Sequence, residues 1–257
     1  MLDIIFLQET LCQAKPLTKF LNAWLPNWTF QALDASGRSG GLAIGVNNRT
    51  AEVRNFFGGR GFIGLDISSH LVERDIRIIN VYGPCADRAN YWRFLFESEL
   101  FQADNIILGG DLNFSLGFSE SWGHLAQVDS LTDTMSLEEH KWVDIPSARL
   151  QYTWSNNRSG EQILARRLDR FLIKESLFNN LPRIRQWVGL GGISDHRPIF
   201  LEAEDTSHKI KIPFKFNASW LLDPSYIELV HNYWRTNLIR EDEEISVGFV
   251  RKLTELK

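Results

Sequence analysis

The chain has 257 residues, of which 44% are hydrophobic and 23% charged, and this is enough for one large globular core. No apolar run approaches the roughly 18 residues of a membrane-spanning helix, so no membrane partner is expected. Its two cysteines, Cys12 and Cys85, have no CxxC spacing and no second pair, which excludes a zinc knuckle or a disulfide framework and fits a reducing compartment, nuclear or cytoplasmic. The net charge of -4 argues against binding nucleic acid over the whole surface, although nine basic and only four acidic residues lie between 149 and 197.

The predicted elements begin with a strand at the first residues. Residues 2–7 are apolar apart from Asp3 and carry no basic residue, so they predict a buried strand and not a secretory signal. Because this strand starts at residue 2 without a polar lead-in, we expect the domain to be truncated at its N-terminus. A helix is predicted at 15–25, where Pro26 ends it.

Short apolar runs that end at turn residues predict the remaining strands of the domain. They lie at 40–46, 63–67, 76–82, 105–108, 168–173 and 198–203. Residues 91–101 have helical periodicity between two of these strands. A capping box from Ser136 to Glu139 predicts a further helix that runs towards Val143.

The composition changes after Glu204. Residues 205–215 are polar and contain lysines, and Asp223 and Pro224 are typical of a helix start. Three apolar residues follow at helical spacing: Ile227, Val230 and Trp234. A polar stretch at 240–244 precedes another helical pattern that continues to Lys257. We therefore predict one domain at 1–205 and a helical appendage at 206–257.

Polar side chains stand where predicted strands end. Four such residues follow or close the strands: Glu9, Tyr82, Asp111 and Asn113. Asp195 and His196 instead open the last predicted strand. If that strand runs antiparallel to the others, its start lies at the same sheet edge as their ends, and these side chains converge on one cleft. Asp169, inside a predicted strand, would lie beside or below them.

Oxygen ligands without cysteine suit Mg²⁺ or Mn²⁺, and several acids at one site repel one another unless a cation is present. Taken singly, each residue also has an ordinary structural interpretation. Glu9 fits a solvated turn, Tyr82 the rim of a core, and Asn113 a turn cap. Asp169 fits an ion pair with a neighbouring arginine, and Asp195 with His196 fits a strand-entry turn. The chemical hypothesis therefore rests on the joint occurrence, order and spacing of these residues.

Six motifs in this order resemble the signature of the endonuclease/exonuclease/phosphatase superfamily. They are QET at 8–10, GGLAIGV at 40–46, NVYGP at 80–84, GGDLN at 109–113, RLDRFL at 167–172 and SDHRPI at 194–199. With RLDRFL, the stretch YTWSNNR at 152–158 more narrowly resembles endonuclease domains of plant LINE-type non-LTR retrotransposons. PFKFNASWLLDPSY at 213–226 is similar to the segment that links such an endonuclease to its reverse transcriptase.

The resemblance implies an α/β fold, a four-layered β-sandwich of two mixed sheets flanked by helices, with a helical C-terminal appendage. It implies a metal-dependent phosphodiesterase that nicks DNA, and a reverse transcriptase domain as partner in the intact polyprotein. The implied cofactor is Mg²⁺, with Mn²⁺ as the alternative. Its implied ligands are Glu9, Asp111, Asn113, Asp195 and His196.

The resemblance also implies catalytic roles. Asp111 would activate the attacking water, and Asn113 would position the water or the phosphate. His196 would contact the scissile phosphate and be oriented by Asp169, with Tyr82 close by and Asp195 on the metal or leaving-group side. Three further residues are hypothesised to contact backbone phosphates: Thr153, Arg166 and Arg170.

One departure from the family pattern keeps an alternative open. The family begins with a strand that bears an asparagine, and that strand is missing ahead of Glu9. A catalytically weak or inactive truncated remnant that retains the fold is therefore the alternative hypothesis. A lipid-phosphate hydrolase of the same superfamily is a third, which the absence of an apolar docking loop and the stretch at 152–170 disfavour.

Overall fold

The computed structural model describes residues 2–36, 39–69, 74–123, 137–181, 183–192, 194–204 and 224–236. The chain forms two compact units, Met1–His208 and Lys209–Lys257. The described strands of the first unit are β1 (Ile4–Gln8), β2 (Trp28–Ser36), β3 (Ser39–Asn47), β4 (Ala51–Gly59), β5 (Phe62–Ser69), β6 (Arg74–Val81), β7 (Ile106–Asp111), β8 (Ser121–Trp122), β9 (Trp142–Asp144), β10 (Trp154–Ser155), β11 (Ala165–Arg166), β12 (Asp169–Lys174), β13 (Arg183–Val188) and β14 (Ile199–Glu204). Its described α-helices are α1 (Ala14–Trp24), α2 (Arg88–Glu97) and α3 (Glu175–Phe178).

A six-stranded sheet forms the centre of the first unit. Its strand order is β4-β5-β6-β7-β12-β9, and every neighbouring pair is antiparallel except β6 and β7. Two parallel neighbours need a crossover connection, which α2 supplies between these two strands. The sheet is therefore mixed.

The second layer of strands is antiparallel. Its three-stranded sheet has the order β1-β3-β2, and β13 pairs with β14 as a separate hairpin. A small sheet of order β10-β11-β8 completes the described strands. Its strand β10 forms a β-bridge with His196 through Trp154.

Alternating side chains of the central sheet build two apolar clusters. Ile79 belongs to the first and its neighbour Ile78 to the second, because successive side chains of a strand point to opposite faces. The first cluster packs the sheet against α2, whose contributions include Trp92, Leu95 and Phe96. The second cluster joins the sheet to β3, through Leu42, Ile44 and Val46, and to the β13–β14 hairpin.

The layers are thus α1, the β1-β3-β2 layer, the six-stranded sheet and α2, since α1 packs against β2 on the outer side. The predicted four-layered sandwich is confirmed, although of its two sheets the six-stranded one is mixed and the β1-β3-β2 sheet is antiparallel. Burial of each large apolar side chain contributes about 1.5–3 kcal/mol to such a core. No helix in the described ranges is long and apolar enough to cross a membrane.

The prediction of a helix from the capping box is wrong over residues 137–143, which the structure describes. Residues 137–140 form a turn, and β9 follows directly and pairs with β12. The ring of Trp142 packs 5.5 Å from that of Phe96 on α2, so tertiary packing overrides the local helix signal. Ser136 itself lies outside the described residues.

In the second unit the structure describes one helix, α4 (Pro224–Thr236), at the position predicted from Pro224 and the apolar spacing after it. The predicted boundary near 205, the polar stretches at 205–215 and 240–244, and the last helical pattern fall outside the described residues. The division into domains at 205 and 206 stays a prediction.

Candidate active site

The catalytic candidates meet where β7 ends and β12 begins. These two strands are antiparallel, with Asp169 directly opposite Asp111. His196 reaches the same place because it forms a β-bridge with Trp154. The ligand atoms of Asp111, Asp169 and His196 all lie within 4.8 Å of one another. These three residues, far apart in the chain, are among those predicted to converge, and the roles predicted for them stay predictions.

His196 stands between two carboxylates. Its Nδ1 lies 2.8 Å from Oδ2 of Asp169, and its Nε2 lies 3.8 Å from Oδ2 of Asp111. The hydrogen bond at Nδ1 fixes the orientation of the imidazole, and it leaves Nε2 facing the Asp111 side of the cleft.

Glu9 and Tyr82 form a second pair at this edge. Glu9 follows β1 with a left-handed backbone, φ 48°, and the hydroxyl of Tyr82 donates a 2.6 Å hydrogen bond to its Oε1. Burial raises the pKa of Tyr82, and the neighbouring Glu9 raises it further. The phenol therefore stays protonated at physiological pH and donates a hydrogen bond. The charge of Glu9 also raises the pKa of Asp111, so the two carboxylates are within electrostatic reach.

Asn113 closes a turn over Asp111. Its backbone is left-handed, φ 54°, a conformation that asparagine tolerates. The N–H of Asn113 donates to Oδ1 of Asp111 at 3.0 Å, and its Nδ2 donates to Oδ2 at 3.2 Å and to the carbonyl of Gly83 at 2.7 Å. The turn thus holds the Asp111 carboxylate in place.

Two residues of the site were not predicted from the sequence. Gln8 Oε1 accepts the N–H of Asp111 at 2.9 Å, while Gln8 Nε2 donates to Asn80 Oδ1 and to the carbonyl of Val81, both at 2.7 Å. Asn80 is fully buried and donates to the carbonyls of Leu7 and Ala43. An amide inside the apolar run of β6 was the available signal, because a buried amide needs partners.

Asp195 is exposed, and its carboxylate points towards the small sheet. Its Oδ2 accepts a 2.9 Å hydrogen bond from Trp154 Nε1. Its charge contributes to raising the pKa of His196, the next residue. A direct role for Asp195 at a metal ion stays a prediction.

A family model for the Endonuclease/Exonuclease/phosphatase family matches residues 1–196. The chain belongs to this family. No curated protein matches the chain.

Solved structures with the same fold include three that bear on the family. TDP2 of D. rerio, complexed with a single-strand DNA product, is 13% identical with a TM-score of 0.56, and the match covers 77% of this chain and 84% of that chain. The endonuclease domain of TRAS1, a telomere-specific non-LTR retrotransposon, is 15% identical with a TM-score of 0.54, over 76% of this chain and 93% of that chain. Truncated TDP2 of Caenorhabditis elegans is 15% identical with a TM-score of 0.52, over 77% and 82%.

The residues at this site of the endonuclease/exonuclease/phosphatase fold are suited to a divalent cation, on which enzymes of the family generally depend. Burial and the charge of Asp169 raise the pKa of Asp111 to about 7, against the opposing charge of His196. Burial and a neighbouring carboxylate thus disfavour the charged form of Asp111. A cation would neutralise that charge, and the carboxylates of Glu9 and Asp111 with the amide of Asn113 are hard oxygen donors.

The structure corrects the prediction of phosphate contacts for Thr153 and Arg170. Both are fully buried. Thr153 Oγ1 accepts the N–H groups of Leu168 and Asp169 at 3.0 and 2.9 Å, and Arg170 pairs with Glu120. Neither side chain has a free surface for DNA. Arg166 is half-buried on β11, and its phosphate contact stays a prediction.

Proposed function

We propose that this protein is a Mg²⁺-dependent endonuclease that nicks DNA, and that it serves a LINE-type non-LTR retrotransposon. The observation that carries the proposal is the grouping of Asp111, Asp169 and His196 within 4.8 Å at the edge of the sheet. Asp111 faces His196, and Asp169 holds His196 by a hydrogen bond. Such an arrangement of an acid and a positioned histidine suits the attack of water on a phosphodiester. DNA as substrate is supported by the fold shared with the TRAS1 domain and by the exposed arginines Arg149 and Arg158 of the basic segment.

In the proposed reaction Asp111, held in place by the turn at Asn113, takes a proton from the attacking water. The water oxygen bonds to phosphorus while the bond from phosphorus to the 3′ oxygen breaks. The departing 3′ oxygen takes up a proton from solvent, so the products are a 3′-hydroxyl and a 5′-phosphate. A 3′-hydroxyl is the end that a reverse transcriptase extends, which fits the proposed partner.

The remaining side chains bind and orient the phosphate. His196, kept protonated by Asp169, donates from Nε2 to a non-bridging oxygen and stabilises the developing charge. Tyr82 donates its hydrogen bond to Glu9 and so orients that carboxylate. Glu9, Asp111 and Asn113 would hold Mg²⁺, which when bound polarises the phosphoryl oxygens and neutralises negative charge.

Plasmid nicking tests the proposal. Supercoiled DNA should be converted to the open circle in the presence of Mg²⁺ and not of EDTA. Asp111→Asn and His196→Ala should each lower the rate by about 10²–10⁴-fold, the usual contribution of a general acid or base. Asp75→Asn, an exposed acid at the start of β6, is the matched control and should leave the rate unchanged.

Nicking that survives both active-site substitutions would contradict the assignment. Phosphoinositides offered under the same conditions decide the substrate class. Turnover of these lipids without cleavage of DNA would replace the proposed substrate and leave the chemistry intact.

A further inference from the structure

A cleft of about 620 Å³ lies beside the small β10-β11-β8 sheet. Trp122, Ser155 and Ala165 line it, whereas their strand neighbours Trp154 and Arg166 do not. Side chains alternate between the faces of a sheet, so the cleft and Trp154, which bonds Asp195, are on opposite faces. The cleft is therefore separate from the catalytic group described above.

Aromatic rings and apolar side chains form the walls of the cleft. The rings of Trp122 and Tyr152 meet edge to face, with centroids 6.1 Å apart. The guanidinium of Arg197 lies 4.0 Å from the centroid of Tyr152 and donates to its hydroxyl at 2.5 Å. The apolar side chains of Leu150 and Ile163 also line the cleft and are 55% and 42% exposed. Flat rings with an apolar rim suit a planar heterocycle.

The charge of the cleft is positive. Arg158 and Arg197 belong to its lining, and none of the lining residues is acidic. Two guanidinium groups without a carboxylate favour an anion, and guanidinium pairs with phosphate through two parallel hydrogen bonds. A phosphate joined to a planar heterocycle is a nucleotide.

Backbone contacts connect the cleft to the catalytic centre. Arg197 follows His196, and its N–H donates to the carbonyl of Thr153 at 2.7 Å. The N–H of Ser155 donates to the carbonyl of Asp195 at 3.1 Å. In this extended pairing His196 faces the catalytic carboxylates while Arg197 faces the cleft. His196 and Arg197, adjacent in one extended segment, thus border the catalytic group and the cleft respectively.

We propose that this cleft binds one nucleotide of the DNA strand next to the phosphate that is cut. The base stacks on Trp122 or Tyr152, and the phosphate pairs with Arg158 and Arg197. The proposal rests on the proposed function, because it assigns the cleft to the same substrate. It makes the cleft a second contact that determines which nucleotides are accepted beside the nick.

Binding in EDTA tests the cleft independently of cleavage. Fluorescence anisotropy of a fluorescein-labelled single-stranded 12-mer should show about fivefold or greater weakening for Arg158→Glu. Trp122→Leu should weaken binding by about fivefold to a hundredfold, the usual effect of losing one stacked base. Arg93→Glu, the same charge change at an exposed position of α2, is the matched control and should bind as the wild type does.

Equal affinity of Arg158→Glu, Trp122→Leu and Arg93→Glu would overturn the proposal. Arg158 is exposed, so its substitution does not threaten the fold. If the wild type fails to nick DNA but the affinities still differ in EDTA, the proposed function fails and the cleft assignment stands. If nicking is present and the affinities are equal, only the cleft assignment fails.

Photochemical cross-linking locates the bound base. A 12-mer with 5-iododeoxyuridine at successive positions should attach to Trp122 or Tyr152 on irradiation, as mapped by mass spectrometry of tryptic peptides. Attachment at one oligonucleotide position only would show a defined register. Cross-links confined to other residues, or none at either ring, would contradict the assignment.

Discussion

His196 contacts two carboxylates, and the two contacts have different consequences. Burial lowers the pKa of His196, but the hydrogen bond and charge of Asp169, with the charges of Asp111 and Asp195, raise it to about 9. The imidazole is consequently protonated at neutral pH and carries a proton on Nε2 as well as on Nδ1. Asp169 is the largest of the factors that raise this pKa, so it decides whether His196 can donate to a phosphate.

At this scale we predict that Asp169→Asn lowers the pKa of His196 from about 9 towards the ordinary value of 6.5. The amide cannot supply the charge that favours the imidazolium, while the burial that opposes it remains. An NMR pH titration of the histidine Cε1 protons in metal-free buffer measures the shift, with the His196 signal identified by its absence in His196→Ala. Asp195→Asn is the control and should give a smaller decrease. An unchanged titration in Asp169→Asn would show that Asp169 does not set the charge of the ring.

Two buried arginines connect the elements that carry the site. Arg170 on β12 donates to the carbonyl of Phe114 at 3.1 Å and pairs with Glu120 at 2.8 Å, and Arg167 pairs with the same glutamate at 2.6 Å. Glu120 also accepts the N–H of Leu116 at 2.7 Å. The loop that follows Asp111 and Asn113 is therefore attached to β12, which carries Asp169. The arginines hold the elements of the site in place and do not bind DNA.

We predict that Arg170→Met lowers the free energy of unfolding by about 3–5 kcal/mol, because the acids Glu120 and Asp144 then share Arg167 as their partner in the buried network. Urea unfolding followed by tryptophan fluorescence measures the change. Arg54→Met is the matched control, since Arg54 pairs with Glu52 on the surface, where the two side chains are 56% and 58% exposed. The control should lose less than about 1 kcal/mol. Equal decreases in the free energy of unfolding for the two variants would mean that the buried ion pairs of Arg170 stabilise the protein no more than the surface pair does.

Most strands found from the sequence have side chains that are buried on both faces; β1, whose side chains are half-buried, is an exception. The apolar runs of β3, β5 and β7 stand out because layers cover both sides of these strands. Strand β4 was not predicted, since its burial is confined to Ala51 and its other side chains are half-buried or exposed. Strands β2 and β13 were missed for the same mixture of polar and apolar residues.

The same limit applies to the site. Motif order identified Asp111, Asp169 and His196, which stand beside strand ends and glycines. Gln8 and Glu120 were not identified, because their partners are 103 and 50 residues away in the chain and depend on strand register. Only the paired strands bring such hydrogen-bonding groups together, so local patterns carry no signal for them.

For the whole molecule, the packed layers and the candidate site have opposite effects on the free energy of unfolding. The two apolar clusters stabilise the sandwich, whereas the site collects acids in a buried position. The pKa of Asp111 rises on folding from 3.8 to about 7, so its contribution to stability is lost as the pH rises between these values. The pKa of His196 rises from 6.5 to about 9, so its contribution is fully present below pH 6.5 and is lost as the pH rises to 9. Without metal, the native protein should therefore become less stable from pH 4 to 9 through these two groups.

We accordingly predict that Asp111→Asn, which should strongly slow nicking, raises the melting temperature at pH 7.5 in metal-free buffer. The substitution removes the buried charge that folding disfavours at this pH, and an asparagine oxygen can still accept the N–H of Asn113. Mg²⁺ should raise the melting temperature of the wild type by binding the native state, and the variant should respond less because it has lost a charged ligand. Differential scanning calorimetry with and without Mg²⁺ measures both effects, and Asp75→Asn should behave as the wild type does. A variant less stable than the wild type at pH 7.5 would mean that the charge of Asp111 does not destabilise the native protein. An equal rise in melting temperature with Mg²⁺ in both proteins would mean that Asp111 is not a ligand of the cation.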